Sequence, residues 1–159
     1  MDPARWTELT TSAVSAAAEA AAEAGNAQIE PLHVAAALLQ DKQGVSQAAV
    51  LRAARGDEAA LASLRRTLQA AVKRLPAVRG ANAGQPSASP ALSKVLSRSA
   101  TRMKQRGDSY LAVDVLWAEC LNDAKVRSPL RAAWALHRRH PSRADAVYRR
   151  WRRRWLRRG

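Results

Sequence analysis

The sequence contains no phenylalanine, only one cysteine and no long apolar run, and each of these absences narrows the class of protein. A single cysteine, Cys120, excludes a disulfide within the chain and fits a reducing compartment, so we expect a cytoplasmic location. No stretch of about 18 apolar residues occurs, so no transmembrane span is expected. The amino terminus lacks a basic segment followed by an apolar one, which argues against a targeting peptide.

Acidic residues are also scarce, and their distribution divides the chain into two parts. The formal net charge is +14 over 159 residues. Residues 130–159 hold eleven arginines and one acid, a net charge of +10, which leaves only +4 for residues 1–129. We therefore predict a folded domain over residues 1–130 and a basic tail, helical or disordered, over residues 131–159.

Residues 25–39 are typical of a helix end, a short connector and a new helix. Gly25 follows an alanine-rich run and can take the left-handed conformation that ends a helix. Pro31 suits the first position of the next helix, where a backbone N–H would have no helical partner. Ile29 is the one large apolar residue of the connector, so we expect it to be buried.

The same pattern returns 82 positions later. Few of the paired residues are identical, so the repeat is one of pattern. The pairs are Gly25 with Gly107, Ile29 with Leu111, Val34 with Leu116, and Leu39 with Leu121. With no strand-like alternation, this repeat predicts an all-α fold of two pseudo-repeated halves in one bundle, over residues 7–75 and 89–130, joined by a flexible linker over residues 76–88.

Local signals predict several helix starts and one close packing surface. Thr7, Asp57 and Asp114 are candidate N-caps, because a side-chain oxygen there can accept a bond from a free backbone N–H. The first helix carries a face of alanines that includes Ala17 and Ala21. Since methyl groups allow a neighbouring helix to come close, we expect this first helix near the centre of the domain.

Several segments, in the right order over residues 6–130, resemble the amino-terminal Clp repeat domain of ClpB-type heat-shock disaggregases, of the plant cytosolic kind. The resemblance implies a pseudo-two-fold helical bundle that binds unfolded or aggregated polypeptides. These segments are Trp6-Thr7, Ile29-Glu30-Pro31-Leu32-His33-Val34, Ala37-Leu38-Leu39, Arg74-Leu75-Pro76, and Lys104-Gln105-Arg106-Gly107-Asp108 followed by Asp114 and Leu116.

By motif position, the resemblance places a client-binding rim on Thr7, Asp108 and Asp114, beside an apolar groove to which Tyr110 and Leu111 contribute. The alternative interpretation is structural: Thr7 and Asp114 cap helices, and Asp108 solvates a turn. The expected partners are unfolded chains and a full-length disaggregase or partner chaperone. We expect a monomer, because an internal core of two halves would use most of the apolar surface.

No enzymatic activity is expected from this sequence. The phosphate-binding pattern Gly-x-x-x-x-Gly-Lys-[Ser/Thr] is absent, so the chain cannot run the ATPase of the family it resembles. No nucleophile, base and orienting group stand in a recognisable arrangement, so we predict no catalytic residue, metal or cofactor. His33 and Cys120 are better explained by packing or capping than by catalysis.

The tail supports a second hypothesis, a basic nucleic-acid-binding protein. Arginines can neutralise phosphates, and tryptophans four residues apart can stack on bases or lie at an anionic membrane surface. The tail departs from the Clp pattern after Leu130. The alternative explanation is a truncated or frame-shifted product, because the composition of the tail is also typical of a GC-rich coding region read out of frame. The residues concerned are Arg149, Arg150, Trp151, Arg152, Arg153, Arg154 and Trp155.

Overall fold

The computed structural model describes residues 3–42, 44–77 and 85–137. Seven α-helices and one pair of two-residue strands lie in these ranges, so the all-α prediction is confirmed. After a 3-10 helix at Pro3–Arg5, the elements are α1 Glu8–Glu23, β1 Gln28–Ile29, α2 Pro31–Gln40, α3 Val45–Ala53, α4 Glu58–Val72, β2 Ser87–Ala88, α5 Pro90–Gln105, α6 Val113–Cys120 and α7 Ala124–His137.

Two of the three predicted N-caps are confirmed. The Thr7 hydroxyl accepts a bond from the Thr10 N–H, and the Asp57 carboxylate accepts two backbone N–H groups at the start of α4. The prediction for Asp114 is wrong, because α6 begins at Val113 and its N-cap is Ala112. Asp114 therefore lies inside the first turn, where its carboxylate can bond to another element.

Three helices end with a residue in the left-handed conformation. Gly25 has φ +67° and Gly107 has φ +74°, as expected from their positions after α1 and α5. Arg55 takes the same place after α3 with φ +59°. In each case the next N–H bonds back to a carbonyl five residues earlier, as in the Schellman motif.

Helix α2 forms the centre of the domain, since it contacts each of the six other described helices. Its side chains from Pro31 to Ala35 are all buried, as are Leu38 and Leu39. The expectation that α1 takes this place is wrong: Ala17 and Ala21 are fully buried, but the other sides of α1 face solvent. Helix α2 is apolar on nearly all sides and can be covered from every direction, whereas α1 is apolar on one.

The two halves exchange short backbone pairings. Strand β1 pairs in parallel with β2, with Ile29 beside Ala88. An isolated parallel bridge joins Trp6 to Leu111, which are the counterparts of Ala88 and Ile29 at the 82-residue offset. Thus each connector pairs with the segment that precedes the first helix of the other half. The strands were not predicted, because two residues are too few to produce an alternating pattern.

The structure describes the two ends of the predicted linker, over residues 76–88, and the predicted domain boundary at residue 130. Ala77 forms a bridge with Asn26, and Ser87 and Ala88 belong to β2, while residues 78–84 lie outside the described ranges. Helix α7 continues past residue 130, and Ala133 and Trp134 pack into the main core. The boundary that we placed at residue 130 therefore falls within this helix.

Candidate binding site

Two segments that are about a hundred residues apart in sequence meet at the Trp6–Leu111 bridge. The Leu111 N–H donates to the Arg5 carbonyl at 2.8 Å, and the Leu111 carbonyl accepts from the Thr7 N–H at 3.0 Å. The same carbonyl accepts from the buried Thr10 hydroxyl at 2.8 Å. The Arg5 guanidinium also donates to the Ser109 carbonyl at 3.1 and 3.2 Å. These bonds bring residues 5–10 and 106–114 together, and we call this surface the 5/111 patch.

A small apolar cluster lies beneath the patch and is separate from the main core. It contains Met103, Leu111 and Val115, with Trp6 packed against them. Leu111 is fully buried, so the expectation that its side chain contributes to an exposed groove is wrong. As the counterpart of the buried Ile29, it fills the core of its own half, and its backbone is what joins the two segments.

Two large apolar side chains of the patch are exposed to solvent. Leu9, in the first turn of α1, is 63% exposed, and Tyr110 is 57% exposed. Tyr110 was predicted from the family resemblance, whereas Leu9 was missed. Helical spacing places Leu9 on the same side as Ala13 and Ala17, so periodicity by itself predicts burial, and only the tertiary structure leaves this position uncovered.

The polar residues predicted for the rim all lie on these two segments. The guanidinium of Arg106 binds two of them: its Nε lies 3.1 Å from Asp108 Oδ2, and its Nη1 donates to Asp114 Oδ2 at 3.0 Å. Thr7 caps α1, and its hydroxyl lies 2.9 Å from that of Thr10. The structural role predicted for Thr7 is therefore confirmed. Asp108 and Asp114 are partners of one arginine, Arg106, which was not among the predicted site residues.

A buried carboxylate holds together the two helices that flank the patch. Glu119 on α6 is only 6% exposed and lies within ion-pair distance of Arg98 and Arg102 on α5, at 3.2 and 2.9 Å. Asn122 also donates to it at 3.2 Å. Because the carboxylate is desolvated, it needs these partners, and they fix the end of α5, where Arg106 lies, relative to α6.

His33 forms part of the fold, as expected. Its Nδ1 accepts the Glu30 N–H at 3.0 Å, so the proton lies on Nε2, which donates to Asn26 Oδ1 at 3.0 Å. Burial lowers the pKa of His33 below its ordinary value of 6.5, and this effect outweighs the opposing influence of the Glu30 carboxylate and backbone. His33 is therefore a neutral, buried residue that ties α2 to the end of α1.

Cys120 is also a packing residue, as predicted. Its side chain is fully buried in the main core. Burial raises the pKa of the thiol far above its ordinary value, and the charges of Asp123 and Glu119 raise it further. A thiol that stays protonated is a poor nucleophile and a poor metal ligand. In the described ranges, no three His, Cys, Asp or Glu side chains come together as metal ligands would.

The arginines and tryptophans of the tail, from Arg149 to Trp155, lie outside the described residues, so the structure does not test the nucleic-acid hypothesis.

Among the helices of residues 3–42, 44–77 and 85–137, none has the length and apolar character needed to cross a membrane.

Comparison with known families gives a match over most of the chain. Residues 5–132 match the family described as the Clp repeat (R) N-terminal domain. This range contains both segments of the 5/111 patch and extends to the middle of α7.

Two curated relatives carry the same name, chaperone protein ClpB. The one from Propionibacterium freudenreichii is 33% identical over 128 residues, which is 79% of this chain. The one from Corynebacterium diphtheriae is 34% identical over 112 residues, which is 70% of this chain. The chain spans only 14% and 13% of the length of these two relatives. Both are bacterial, so they do not support the narrower expectation of a plant cytosolic form.

A solved structure has the same fold. It is the Hsp104 N-terminal domain from Candida albicans, with a TM-score of 0.70 and 21% sequence identity, and the likeness covers 80% of this chain and 81% of that one. The predicted two-half helical bundle thus agrees with an experimentally determined architecture.

Proposed function

The chain belongs to the Clp repeat N-terminal domain family, and we propose that it is a binding module for unfolded or aggregated polypeptides. In this proposal it presents such clients to an ATP-driven disaggregase, during heat stress in particular, and hydrolyses no ATP in this domain. The disaggregase is either the same polypeptide or a separate partner chaperone. The ClpB name of the two curated relatives supports this assignment.

The observation that carries the proposal is the composition of the 5/111 patch. An unfolded chain offers apolar side chains together with backbone N–H and C=O groups that lack partners. The patch offers two exposed apolar side chains, Leu9 and Tyr110, beside the polar groups of Thr7, Asp108 and Asp114. This combination fits short apolar segments of a client and does not require one particular sequence.

The size of the apolar surface sets the expected strength of binding. Covering two partly exposed side chains of this kind contributes about 2–4 kcal/mol. Taken alone, this corresponds to a dissociation constant of about 1 mM or weaker for one short segment. We therefore expect weak and rapidly reversible binding, which becomes effective when several such domains contact one client.

Fluorescence anisotropy with a labelled, permanently unfolded protein tests the proposal. Reduced and carboxymethylated α-lactalbumin is a suitable client, and suppression of aggregation of a heat-denatured protein is a second assay. We expect Leu9→Ser and Tyr110→Ser to weaken binding at least threefold each, because each removes part of the apolar surface. Val45 is also exposed, at 43%, but lies on α3. Val45→Ser is therefore the matched control, which should bind like the unmodified protein.

Failure of the unmodified protein to bind unfolded clients and to slow aggregation would contradict the proposal. Equal loss in the Val45→Ser variant would show that binding is a general effect of surface hydrophobicity, and would remove the 5/111 patch as the site.

We further propose a cytoplasmic location and a monomeric state for the domain. The unpaired, buried Cys120 fits a reducing compartment. Most large apolar side chains of the described residues are used in the two internal clusters. Sedimentation at increasing protein concentration tests the monomeric state, and mass that rises with concentration would contradict it.

A further inference from the structure

Arg106 occupies the position between the two carboxylates of the 5/111 patch. It is the C-cap residue of α5, and its guanidinium forms ion pairs with Asp108 at 3.1 Å and Asp114 at 3.0 Å. One arginine thus neutralises one of two negative charges. The remaining charge of this group of three is −1, beside the exposed Tyr110.

All three side chains reach solvent, so the arrangement can open. The side chain of Arg106 is 29% exposed, and those of Asp108 and Asp114 are 37% and 26% exposed. Ion pairs with this much exposure are weak, because water competes for both charges and holding the side chains in place costs entropy. The buried ion pairs of Glu119 differ, since the Glu119 side chain is only 8% exposed and its carboxylate depends on the two arginines.

A basic side chain of a bound client would find the same two carboxylates that Arg106 now occupies. Lysine and arginine donate to carboxylate oxygens in the way that Arg106 does, and both arrive on flexible apolar stems that can also cover an aromatic ring. The client group and Arg106 therefore compete for Asp108 and Asp114. When a client group binds, Arg106 gives up its ion pairs with Asp108 and Asp114 and turns towards solvent.

We propose that Arg106 is an internal competitor that sets the charge preference of the patch, and that the patch favours apolar segments carrying lysine or arginine. This inference rests on the proposed function, because it assigns the specificity of the same site. It predicts that the two aspartates select basic clients and that Arg106 limits how tightly such clients bind.

The test uses three labelled peptides of equal length with the same apolar residues, which carry two lysines, two glutamates or two glutamines. Their binding is measured by fluorescence anisotropy against the full chain and its variants. We expect the unmodified protein to bind the lysine peptide more tightly than the glutamate peptide. In Arg106→Gln, affinity for the lysine peptide should rise about 1.5-fold to fivefold, which is the range expected for one partly exposed ion pair. Affinity for the glutamine peptide should stay unchanged.

Matched controls separate a local effect from a change in overall charge. Arg66→Gln removes an exposed arginine on α4 and should leave all three affinities unchanged. Asp114→Asn should abolish the preference for the lysine peptide, and raising the salt concentration should reduce that preference in the unmodified protein. Urea unfolding curves establish that each variant is folded, which is expected because the altered groups are partly exposed.

The outcomes distinguish this inference from the proposed function. If the glutamine peptide binds but Arg106→Gln does not tighten the lysine peptide, or tightens all three peptides equally, the competitor role is overturned and the binding function stands. If no peptide binds to any variant, both fail. A gain for the lysine peptide alone, lost again in the double variant with Asp114→Asn, supports the inference.

Discussion

Replacing Gly107 by alanine isolates one physical effect, the cost of left-handed backbone. Gly107 has φ +74°, and an added Cβ would meet no atom within 4 Å. The substitution therefore creates no clash and removes no side-chain contact. An L-residue in this conformation costs about 1–2 kcal/mol. Alanine also lowers the conformational entropy of the unfolded chain, which stabilises the folded state by about 0.4–1 kcal/mol. The free energy of unfolding should fall by about 1 kcal/mol.

Urea unfolding followed by far-UV circular dichroism measures this change, with the slope of free energy against urea expected to stay the same. For a chain of this length, the melting temperature should fall by about 2–4 °C. The same reasoning gives the opposite sign at Arg55, where a non-glycine residue already holds φ +59°. Arg55→Gly should stabilise the protein by about 0.5–1 kcal/mol, whereas Arg55→Ala, which keeps an L-residue there, should change little.

A loss of more than about 3 kcal/mol in Gly107→Ala would refute the reasoning, because backbone strain alone cannot supply it. No loss at all would refute it too, since the turn would then have relaxed to another conformation. A destabilised Arg55→Gly variant would show that the arginine side chain contributes more to stability at that position than its left-handed backbone costs.

Three further predictions concern the core, the polar network and the patch. Leu116→Ala should lower the free energy of unfolding by about 3–5 kcal/mol, because Leu116 is fully buried in the main core. A loss of less than about 1 kcal/mol, measured by urea unfolding, would contradict this prediction. The folded-state pKa of His33 is lowered, so its stabilising contribution is complete above pH 6.5 and is lost as the pH falls below that value. The free energy of unfolding should therefore decrease from about pH 7.5 to about pH 5.5, and His33→Gln should flatten that dependence; an unchanged dependence would assign it to other groups. Thr10→Val should lower the free energy of unfolding by about 1 kcal/mol, because it removes the hydrogen bond to the Leu111 carbonyl. Hydrogen exchange at the Leu111 and Thr7 amides should accelerate. The equivalent pairing of Ile29 and Ser89 in the other half serves as the internal control and should change less.

Local signals in the sequence determined the elements of the fold. Gly25 and Gly107 end helices, Pro31 starts one and Asp57 caps one, because each of these residues acts on its own backbone or on an N–H two or three positions away. The repeat at an offset of 82 residues also indicated two related halves. It correctly paired Ile29 with Leu111, and both are buried.

The tertiary structure alone decided which of these elements meet. Leu111 was expected at an exposed groove but is covered by Trp6, and this contact exists only because the chain returns after about a hundred residues. Asp114 was expected to cap a helix but pairs with Arg106, because α6 begins earlier than expected and the end of α5 lies against it. Leu9 has the spacing of a buried residue, yet within the described ranges it stays exposed.

The sequence by itself thus determined the helical class, the two-fold repeat and the helix ends at Gly25, Pro31, Asp57 and Gly107, since these ends depend on interactions within a few residues of the chain. Packing alone decided the central place of α2, the exchange of backbone pairings between the halves and the exposure of Leu9 in the 5/111 patch. They depend on which apolar faces pack against each other. The free energy of that packing comes from contacts between residues that are far apart in the chain.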